Sequence, residues 1–221
     1  MSRFADRAAA GRELARRLES YTNRSDGVVL GLARGGMPVA YEVARALNLP
    51  LDVFLVRKLG VPGHEELAMG AIASGGVRVL NQRVVNELNI AEEDIDAVAA
   101  REHQELDRRE RAYRDGGAPA VVAGRLAILV DDGLATGSSM RAALHALKQR
   151  DAAGIVVAVP IAPPETCAEL EPEADVVICA QTPKSFRAVG VWYENFAQTT
   201  DDEVRALVAR GRSETGSAAS G

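Results

Sequence analysis

Short, wholly apolar runs alternate along the chain with stretches in which apolar residues recur every three or four positions. The short runs predict buried β-strands, and the periodic stretches predict amphipathic helices. The predicted strands span residues 28–32, 50–56, 126–130, 155–160 and 175–180. The predicted helices span residues 4–21, 39–47, 91–114, 138–150 and 165–170. Strands that alternate with helices in this order predict an α/β fold with a parallel sheet.

Four segments depart from this alternation. Residues 59–66 contain glycine and proline and predict a loop, and two apolar runs flanking residues 74–76 predict a β-hairpin. The helix over 91–114 is very polar, so we expect it to cap the core or to pack on a partner subunit. Residues 211–221 are small and polar and predict a disordered tail. Residues 1–210 then form a single domain.

Length, charge and cysteine content narrow the class of protein. The 221 residues suit one α/β domain with a substantial core, and a net charge of −5 argues against nucleic acid or a membrane surface as a partner. No apolar run approaches the roughly 18 residues of a membrane span, and the N-terminus lacks an apolar signal core. Cys167 and Cys179 fit no metal-binding spacing. We therefore expect two reduced thiols in a cytoplasmic protein.

The most informative segment follows the predicted strand at 126–130. The strand ends in two adjacent carboxylates, Asp131 and Asp132, at the position where open α/β sheets bind ligands. A turn of small residues comes next, and its backbone N–H groups and the following helix N-terminus suit an anion. The turn consists of Ala135, Thr136, Gly137, Ser138 and Ser139. Carboxylates that can bind hydroxyl groups, next to a turn that can bind a phosphate, predict a sugar-phosphate ligand.

Two other predicted strands also end in groups that suit a charged ligand. Arg34, Gly35 and Gly36 follow the first strand, and two adjacent glycines let a backbone approach a ligand closely. Arg57 and Lys58 follow the second strand, and two cations suit a pyrophosphate group.

Residues 130–139 resemble the phosphoribosyl-diphosphate (PRPP) binding motif of the type I phosphoribosyltransferases. Segments similar to a bacterial group of that family also occur at residues 4–7, 31–36, 56–60 and 192–196. The acceptors of that group are poorly defined. The resemblance implies a parallel-sheet core flanked by helices and a small C-terminal hood, which we define as residues 181–200.

The resemblance also implies roles for the residues at the strand ends. Asp131 and Asp132 would hold the ribose hydroxyls directly or through Mg²⁺, and residues 135–139 would hold the 5′-phosphate. The groups expected to face the pyrophosphate are Arg34, Gly35, Gly36, Arg57 and Lys58. In the family a mobile catalytic loop lies near residues 58–69, which makes Lys58 and Glu65 catalytic candidates beside the acidic pair.

Residues that would contact an acceptor base are less sharply defined. The hypoxanthine-guanine type carries an acidic residue where this chain has Ala135, whereas the adenine type shares the alanine and uses a glutamate of the mobile loop. Glu65 is therefore our candidate, with Glu66 and His64 as alternatives. Trp192 and Tyr193, from an aromatic-rich part of the hood, would stack on a base.

These observations predict an Mg²⁺-dependent phosphoribosyltransferase. It would transfer the 5-phosphoribosyl group from PRPP to a nitrogenous base, with a purine-like acceptor slightly favoured, and release pyrophosphate. The alternative is a non-catalytic protein of the same fold that senses PRPP or a nucleotide. A phosphoryl-transfer receiver domain fits less well, because its acidic pair normally follows the first strand. We expect a homo-oligomer, in the simplest case a dimer.

Overall fold

The computed structural model of the protein describes residues 2–218. Its helices are α1 Arg7–Arg17, α2 Gly36–Leu47, α3 Gln82–Glu87, α4 Glu92–Arg114, α5 Ser138–Gln149, α6 Pro164–Leu170 and α7 Asp201–Ala218. Its strands are β1 Gly27–Leu32, β2 Leu51–Phe54, β3 Val56–Val61, β4 His64–Ala73, β5 Val77–Leu80, β6 Leu126–Val130, β7 Gly154–Ile161 and β8 Val176–Gln181. Two short 3-10 turns span Glu19–Tyr21 and Val189–Trp192.

The predicted parallel sheet is confirmed. Five strands pair in the order β2-β1-β6-β7-β8, and every pair is parallel. Successive residues of β1 point to opposite faces, so Val29 packs in a core with α1, α2 and α4 while Leu30 packs in a second core with α5. Because β1 and β6 are neighbours, with Gly31 opposite Val130, the loops that follow them lie side by side.

A second sheet corrects the prediction of a loop after the second strand. Strands β3, β4 and β5 form an antiparallel sheet, and β3 contains both Arg57 and Lys58. Residues 58–69, expected as a mobile loop, are a hairpin whose inward side chains Leu59, Val61 and Met69 are buried. The predicted hairpin between 71–73 and 77–80 is confirmed as the β4–β5 pair.

The chain after residue 200 also differs from the prediction. Helix α7 continues through residue 218, so the expected disordered tail is wrong for residues 211–218, while residues 219–221 lie outside the described part. Val204 and Val208 of α7 are fully buried, and the Cα of Gly211 lies so close to Leu51 that an added Cβ would be 2.8 Å from the Leu51 Cβ. The helix is therefore stabilised by packing against α2, α4 and β2.

The two cysteines form a disulfide, which corrects the expectation of reduced thiols. Cys167 lies on α6 and Cys179 on β8, and their Cα atoms are 6.8 Å apart. The pairing depends on how α6 packs against β8, and a separation of 12 residues in the sequence does not reveal it.

Within residues 2–218, no helix combines the length and the apolar character that crossing a bilayer requires.

Candidate active site

The loops after β1 and β6 touch each other at two glycines. An ideal Cβ on Gly35 would lie 2.8 Å from the Asp132 Cγ, and one on Gly36 would lie 2.7 Å from the Val130 carbonyl oxygen. No real Cβ tolerates such distances, so this approach requires glycine at both positions. Gly35 and Gly36, which the sequence predicts to approach a ligand, are therefore packed directly against the acidic pair. The peptide bond between Ala33 and Arg34, in the same loop, is cis.

The two carboxylates occupy different environments. Asp131 accepts a hydrogen bond from the Asp132 backbone N–H at 2.8 Å, and the Asp132 Oδ2 accepts one from the Arg7 Nε at 2.8 Å. Burial, reinforced by the neighbouring Asp132 charge, raises the pKa of Asp131 well above its usual range. Burial also raises the pKa of Asp132, although Arg7 opposes that rise. Ionising both carboxylates is therefore unfavourable, and a cation or a hydroxyl donor would relieve that cost.

Arg7 was not predicted as a site residue. Its side chain extends from α1 to the acidic pair, and its Nη1 donates to the Ala197 carbonyl at 2.7 Å. The Cζ lies 3.9 Å from the centroid of the Phe196 ring, within range of a cation–π contact. Arg7 and Asp132 are 125 residues apart, so no local pattern in the sequence connects them. The signal in the sequence that could have indicated a role for Arg7 was the similarity of residues 4–7 and 192–196 to the family.

The N-terminal and C-terminal segments are joined by backbone hydrogen bonds beside Asp132. The Phe4 N–H donates to the Trp192 carbonyl at 2.9 Å, and the Phe4 carbonyl accepts from the Glu194 N–H at 2.8 Å. The Asn195 N–H donates to the Ala5 carbonyl at 3.0 Å. The predicted hood was assigned to the C-terminal segment alone, but the N-terminal residues pair with it.

The sequence suggested that the Tyr193 ring is open for a base to stack on, but the structure buries this ring. The side chain is only 1% exposed, and its ring centroid lies 5.6 Å from that of Phe4 and 5.0 Å from that of Phe196. Its hydroxyl donates to the Asp132 backbone carbonyl. Trp192 is half-buried, and its indole N–H has no hydrogen-bond partner in the described part of the chain.

The turn predicted to bind phosphate precedes α5 as expected. Gly137 adopts a left-handed conformation with φ of 70° at the N-cap, which favours glycine. Thr166 Oγ1 donates to the Ala135 carbonyl at 2.8 Å, and Arg141 Nη1 donates to the Thr136 carbonyl at 2.9 Å. These contacts hold the turn by its carbonyl groups, while the N–H groups of the first helical turn have no intrahelical partner. The arrangement suits an anion.

The predicted cations are only partly gathered at this site. Arg34 Nη1 lies 3.6 Å from Asp201 Oδ1, and Arg57 Nε donates to Glu102 Oε2 at 2.9 Å. Lys58 is exposed on β3 and lines a cleft of 400 Å³ that also contains Ser138 and Ser139. This cleft connects the small sheet with the phosphate turn.

The acid–base candidates of the hairpin lie on β4 and are exposed. Glu65 lines a concavity of 510 Å³ together with Arg57, Lys58 and Arg101, apart from the residues that surround the acidic pair. His64 and Glu66 are also exposed on this strand. Closure of the hairpin would be needed to bring any of them to the acidic pair.

The carboxylate pair fits one mode of magnesium binding. Within residues 2–218, no group of three or more His, Cys, Asp or Glu side chains could enclose a metal ion. Mg²⁺ is commonly held by one or two carboxylates together with phosphate oxygens of a ligand. Asp131 and Asp132 supply the oxygen ligands of that mode, and the ligand would have to supply the others.

Known proteins are similar to this chain over most of its length. Residues 63–194 match the family described as the phosphoribosyl transferase domain. Two curated Mycobacterium tuberculosis proteins, provisionally named phosphoribosyl transferases, are each 48% identical over 210 residues. These residues are 95% of this chain and 47% of each relative, so the chain spans about half the length of these curated relatives.

Solved structures agree at the level of the fold. The crystal structure of TT1426 from Thermus thermophilus is 42% identical, with a TM-score of 0.83, and the match covers 94% of this chain and 98% of that one. A hypothetical protein from Neisseria gonorrhoeae, crystallised with bound ppGpp, is 16% identical with a TM-score of 0.50, and the match covers 93% of each chain. The latter likeness concerns the fold alone. On the family match and the identity to these relatives, the chain belongs to the phosphoribosyl transferase domain family.

Proposed function

We propose that this protein transfers the 5-phosphoribosyl group from PRPP to a nitrogenous base, with a purine-like acceptor favoured, and releases pyrophosphate. The observation that carries the proposal is the arrangement around β6. An acidic pair lies against the Gly35–Gly36 backbone and is followed directly by the anion-binding turn at residues 135–139. A ligand with ribose hydroxyls, a 5-phosphate and a diphosphate matches these three features in one molecule.

The chemistry of the transfer explains why each group would be needed. As the bond to pyrophosphate breaks, the ribosyl centre becomes electron-poor and the leaving group becomes more negative. When bound by Asp131, Asp132 and the diphosphate oxygens, Mg²⁺ would neutralise part of that negative charge. Lys58 would add positive charge, and Arg34 and Arg57 would have to leave Asp201 and Glu102 to do the same. Closure of the 58–69 hairpin would exclude water, which otherwise competes with the acceptor.

The acceptor would bind on the hood side of the acidic pair. Trp192 would supply the aromatic surface there, and its indole N–H, which is buried and unpaired within residues 2–218, would have to become accessible to donate to a ring nitrogen or carbonyl. Glu65 remains our candidate for proton transfer to or from the base, which requires the hairpin to close. Ala135 offers no acid for a base, so the phosphate turn leaves the acceptor unspecified.

A non-catalytic sensor of PRPP or a nucleotide is the second candidate. It is favoured by the ion pairs of Arg34 with Asp201 and Arg57 with Glu102, which occupy two of the cations that transfer would use. A protein that binds its ligand without turnover would not need to release them.

Titration and turnover measurements test both candidates. Binding of PRPP is measured by calorimetry with and without Mg²⁺, and pyrophosphate release is then followed with a panel of purines, pyrimidines and related heterocycles. Release that depends on one acceptor supports the transferase. Tight PRPP binding without release for any acceptor supports the sensor, and failure of both PRPP and a ribose 5-phosphate analogue to bind contradicts both candidates.

Replacing Gly36 by Ala should weaken PRPP use severely. The new Cβ would lie 2.7 Å from the Val130 carbonyl oxygen and 2.9 Å from the Asp131 Cα, so the acidic pair must shift. A displacement of about 1 Å at a reacting centre can cost about 10²-fold in rate. We therefore expect kcat/KM for PRPP to fall by about 10²-fold in the pyrophosphate-release assay.

Gly124→Ala is the matched control for this change. Gly124 has a φ of 69° and open space around it, in the loop that precedes the opposite end of β6. The substitution introduces backbone strain without crowding the acidic pair, so it should lower Tm and leave kcat/KM unchanged. Equal losses of kcat/KM in the two variants would contradict the proposed role of the Gly36 contact.

A further inference from the structure

The loop that carries the acidic pair is held by side chains from both ends of the chain. We propose that Arg7 and Tyr193 are positioning residues, which fix Asp132 in the orientation that receives the ribose hydroxyls. This inference rests on the proposed function and adds to it two residues outside the acidic loop and the phosphate turn. It also implies that the donor site is complete only when the N-terminal segment is joined to the hood.

Both the side chain and the backbone of Asp132 are held from outside its own loop. Arg7 donates to the Asp132 carboxylate at 2.8 Å, and Tyr193 donates to the Asp132 carbonyl oxygen. The Arg7 and Asp132 side chains are only 11% and 13% exposed, so solvent screens this ion pair weakly. The Asp131 carboxylate, in contrast, accepts its hydrogen bond from the backbone N–H of Asp132 in the same loop. The two carboxylates therefore differ in how firmly they are oriented.

Arg7 is itself fixed before any ligand binds. One nitrogen bonds the Asp132 carboxylate, a second bonds the Ala197 carbonyl, and the guanidinium rests on the Phe196 ring. The preceding Asp6 caps α1 by accepting a hydrogen bond from the Ala9 N–H at 2.7 Å, which fixes the first turn of the helix. Because these groups are already ordered in the folded protein, ligand binding does not incur the entropic cost of ordering them.

The identity of the residue follows from these contacts. A planar guanidinium makes two directed hydrogen bonds and a ring contact at once, whereas a lysine ammonium acts as a single point of charge. Arg7→Lys should therefore keep the attraction to Asp132 and lose part of its alignment. Tyr193→Phe removes one hydroxyl and keeps the ring between Phe4 and Phe196.

Calorimetric titrations without Mg²⁺ distinguish positioning from general structural support. Ribose 5-phosphate carries the hydroxyls that Asp132 would receive, whereas pyrophosphate alone would bind the Arg34–Gly36 loop. We expect Arg7→Gln to weaken ribose 5-phosphate binding at least tenfold and pyrophosphate binding by less than twofold. Arg7→Lys should restore part of the ribose 5-phosphate affinity, and Tyr193→Phe should weaken that affinity severalfold.

Arg17→Gln is the matched control, because Arg17 is exposed on the last turn of the same helix. It should leave both affinities unchanged. If Arg7→Gln does not fold, Arg7→Lys and Tyr193→Phe carry the test. Unchanged ribose 5-phosphate binding in the variants, or equal weakening for both ligands, would overturn the inference. Failure of the wild-type protein to bind PRPP or ribose 5-phosphate would instead overturn the proposed function.

Discussion

Replacing Asp131 by Asn should abolish most turnover while making the protein more stable. The amide has the size of the carboxyl group and can still accept the hydrogen bond from the Asp132 N–H. It has no negative charge to hold a metal ion and is a weaker acceptor for a ribose hydroxyl. Loss of one preorganised electrostatic contact at a reacting centre costs about 10²–10³-fold in rate. We expect the upper end of that range for kcat of pyrophosphate release.

The gain in stability follows from the raised pKa of Asp131. Burial and the adjacent Asp132 make the ionised form of Asp131 unfavourable in the folded state, so the folded pKa exceeds the unfolded value. As the pH rises above the unfolded pKa, the unfolded state ionises Asp131 more readily than the folded state does, so the wild type loses stability, and Asn removes that cost. Each kcal/mol recovered should raise Tm by about 2–4 °C in a domain of this size.

The difference in stability between Asp131→Asn and the wild type should depend on pH. Below the unfolded pKa of about 4, Asp131 is neutral in both the folded and unfolded states. The difference in Tm between Asp131→Asn and the wild type should therefore be largest near pH 7 and should vanish as the pH falls below about 4. Scanning calorimetry at several pH values measures this trend.

Asp151→Asn provides the control for charge removal. Asp151 is exposed and has a φ of 55°, a conformation that asparagine tolerates well. This variant should match the wild type in turnover and in Tm. Turnover of Asp131→Asn within threefold of the wild type would contradict the role proposed for the carboxylate, and a lower Tm at pH 7 would contradict the electrostatic argument.

The features predicted correctly from the sequence depend on local patterns. The run at 126–130 is wholly apolar and stops at two carboxylates, so both the strand and the polar strand end are visible within seven residues. The alternation of such runs with helical periodicity also predicted the parallel sheet. The strand and its polar end are read from one short segment, and the sheet is read from a series of such segments, each recognised on its own.

The hairpin and the last helix show where local patterns were present but were outweighed. Leu59, Val61 and Met69 point inward, but Gly60, Pro62 and Gly63 between them suggested a loop. In α7 the apolar residues at 204, 207 and 208 have helical spacing, although the small polar residues that follow suggested disorder. The hairpin packs against α4 and α5, and α7 packs against α2, α4 and β2. A single segment of sequence does not show such packing partners.

The positioning of the acidic pair depends on contacts that are distant in the sequence. Arg7 and Tyr193 reach Asp132 across 125 and 61 residues, respectively. The sequence suggested that Tyr193 stacks on a base, whereas its hydroxyl bonds a backbone carbonyl and its ring is buried. An aromatic residue in a polar segment can stack on a ligand or brace a loop, and only the fold distinguishes these roles.

Replacing Arg114 by Met should cause the largest loss of stability that we predict. Arg114 and Asp52 form an ion pair in which both side chains are 4% exposed, with Nε 3.0 Å from Oδ1 and 3.1 Å from Oδ2. Arg114 also donates to the Val53 carbonyl at 2.8 Å, and Asp52 accepts from the Ala120 N–H at 2.7 Å. The pair thus joins the end of α4 to β2 and to the segment before β6.

Removing Arg114 leaves the Asp52 charge buried, and it also removes the Nη1 that lies 3.2 Å from the Glu110 Oε2. Arg212 Nη2 lies 3.7 Å from Asp52 Oδ1 and compensates only part of that charge. Breaking a buried ion pair in this way costs about 3–5 kcal/mol, a large fraction of the roughly 5–15 kcal/mol that stabilises a typical domain. Urea unfolding should show this loss as a lower midpoint with an unchanged slope. Arg111→Met, an exposed change one turn earlier in α4, should alter the free energy of unfolding by less than about 0.5 kcal/mol.

A double variant separates the cost of an unpaired charge from the loss of packing. Asp52→Asn added to Arg114→Met removes the orphaned charge of Asp52 and leaves that of Glu110, while the amide oxygen can still accept from the Ala120 N–H. If the buried charge causes the instability, the double variant should be more stable than Arg114→Met alone. If instead the aliphatic part of Arg114 and its bond to Val53 dominate, the second change should give no recovery, and the electrostatic account of this pair would be wrong.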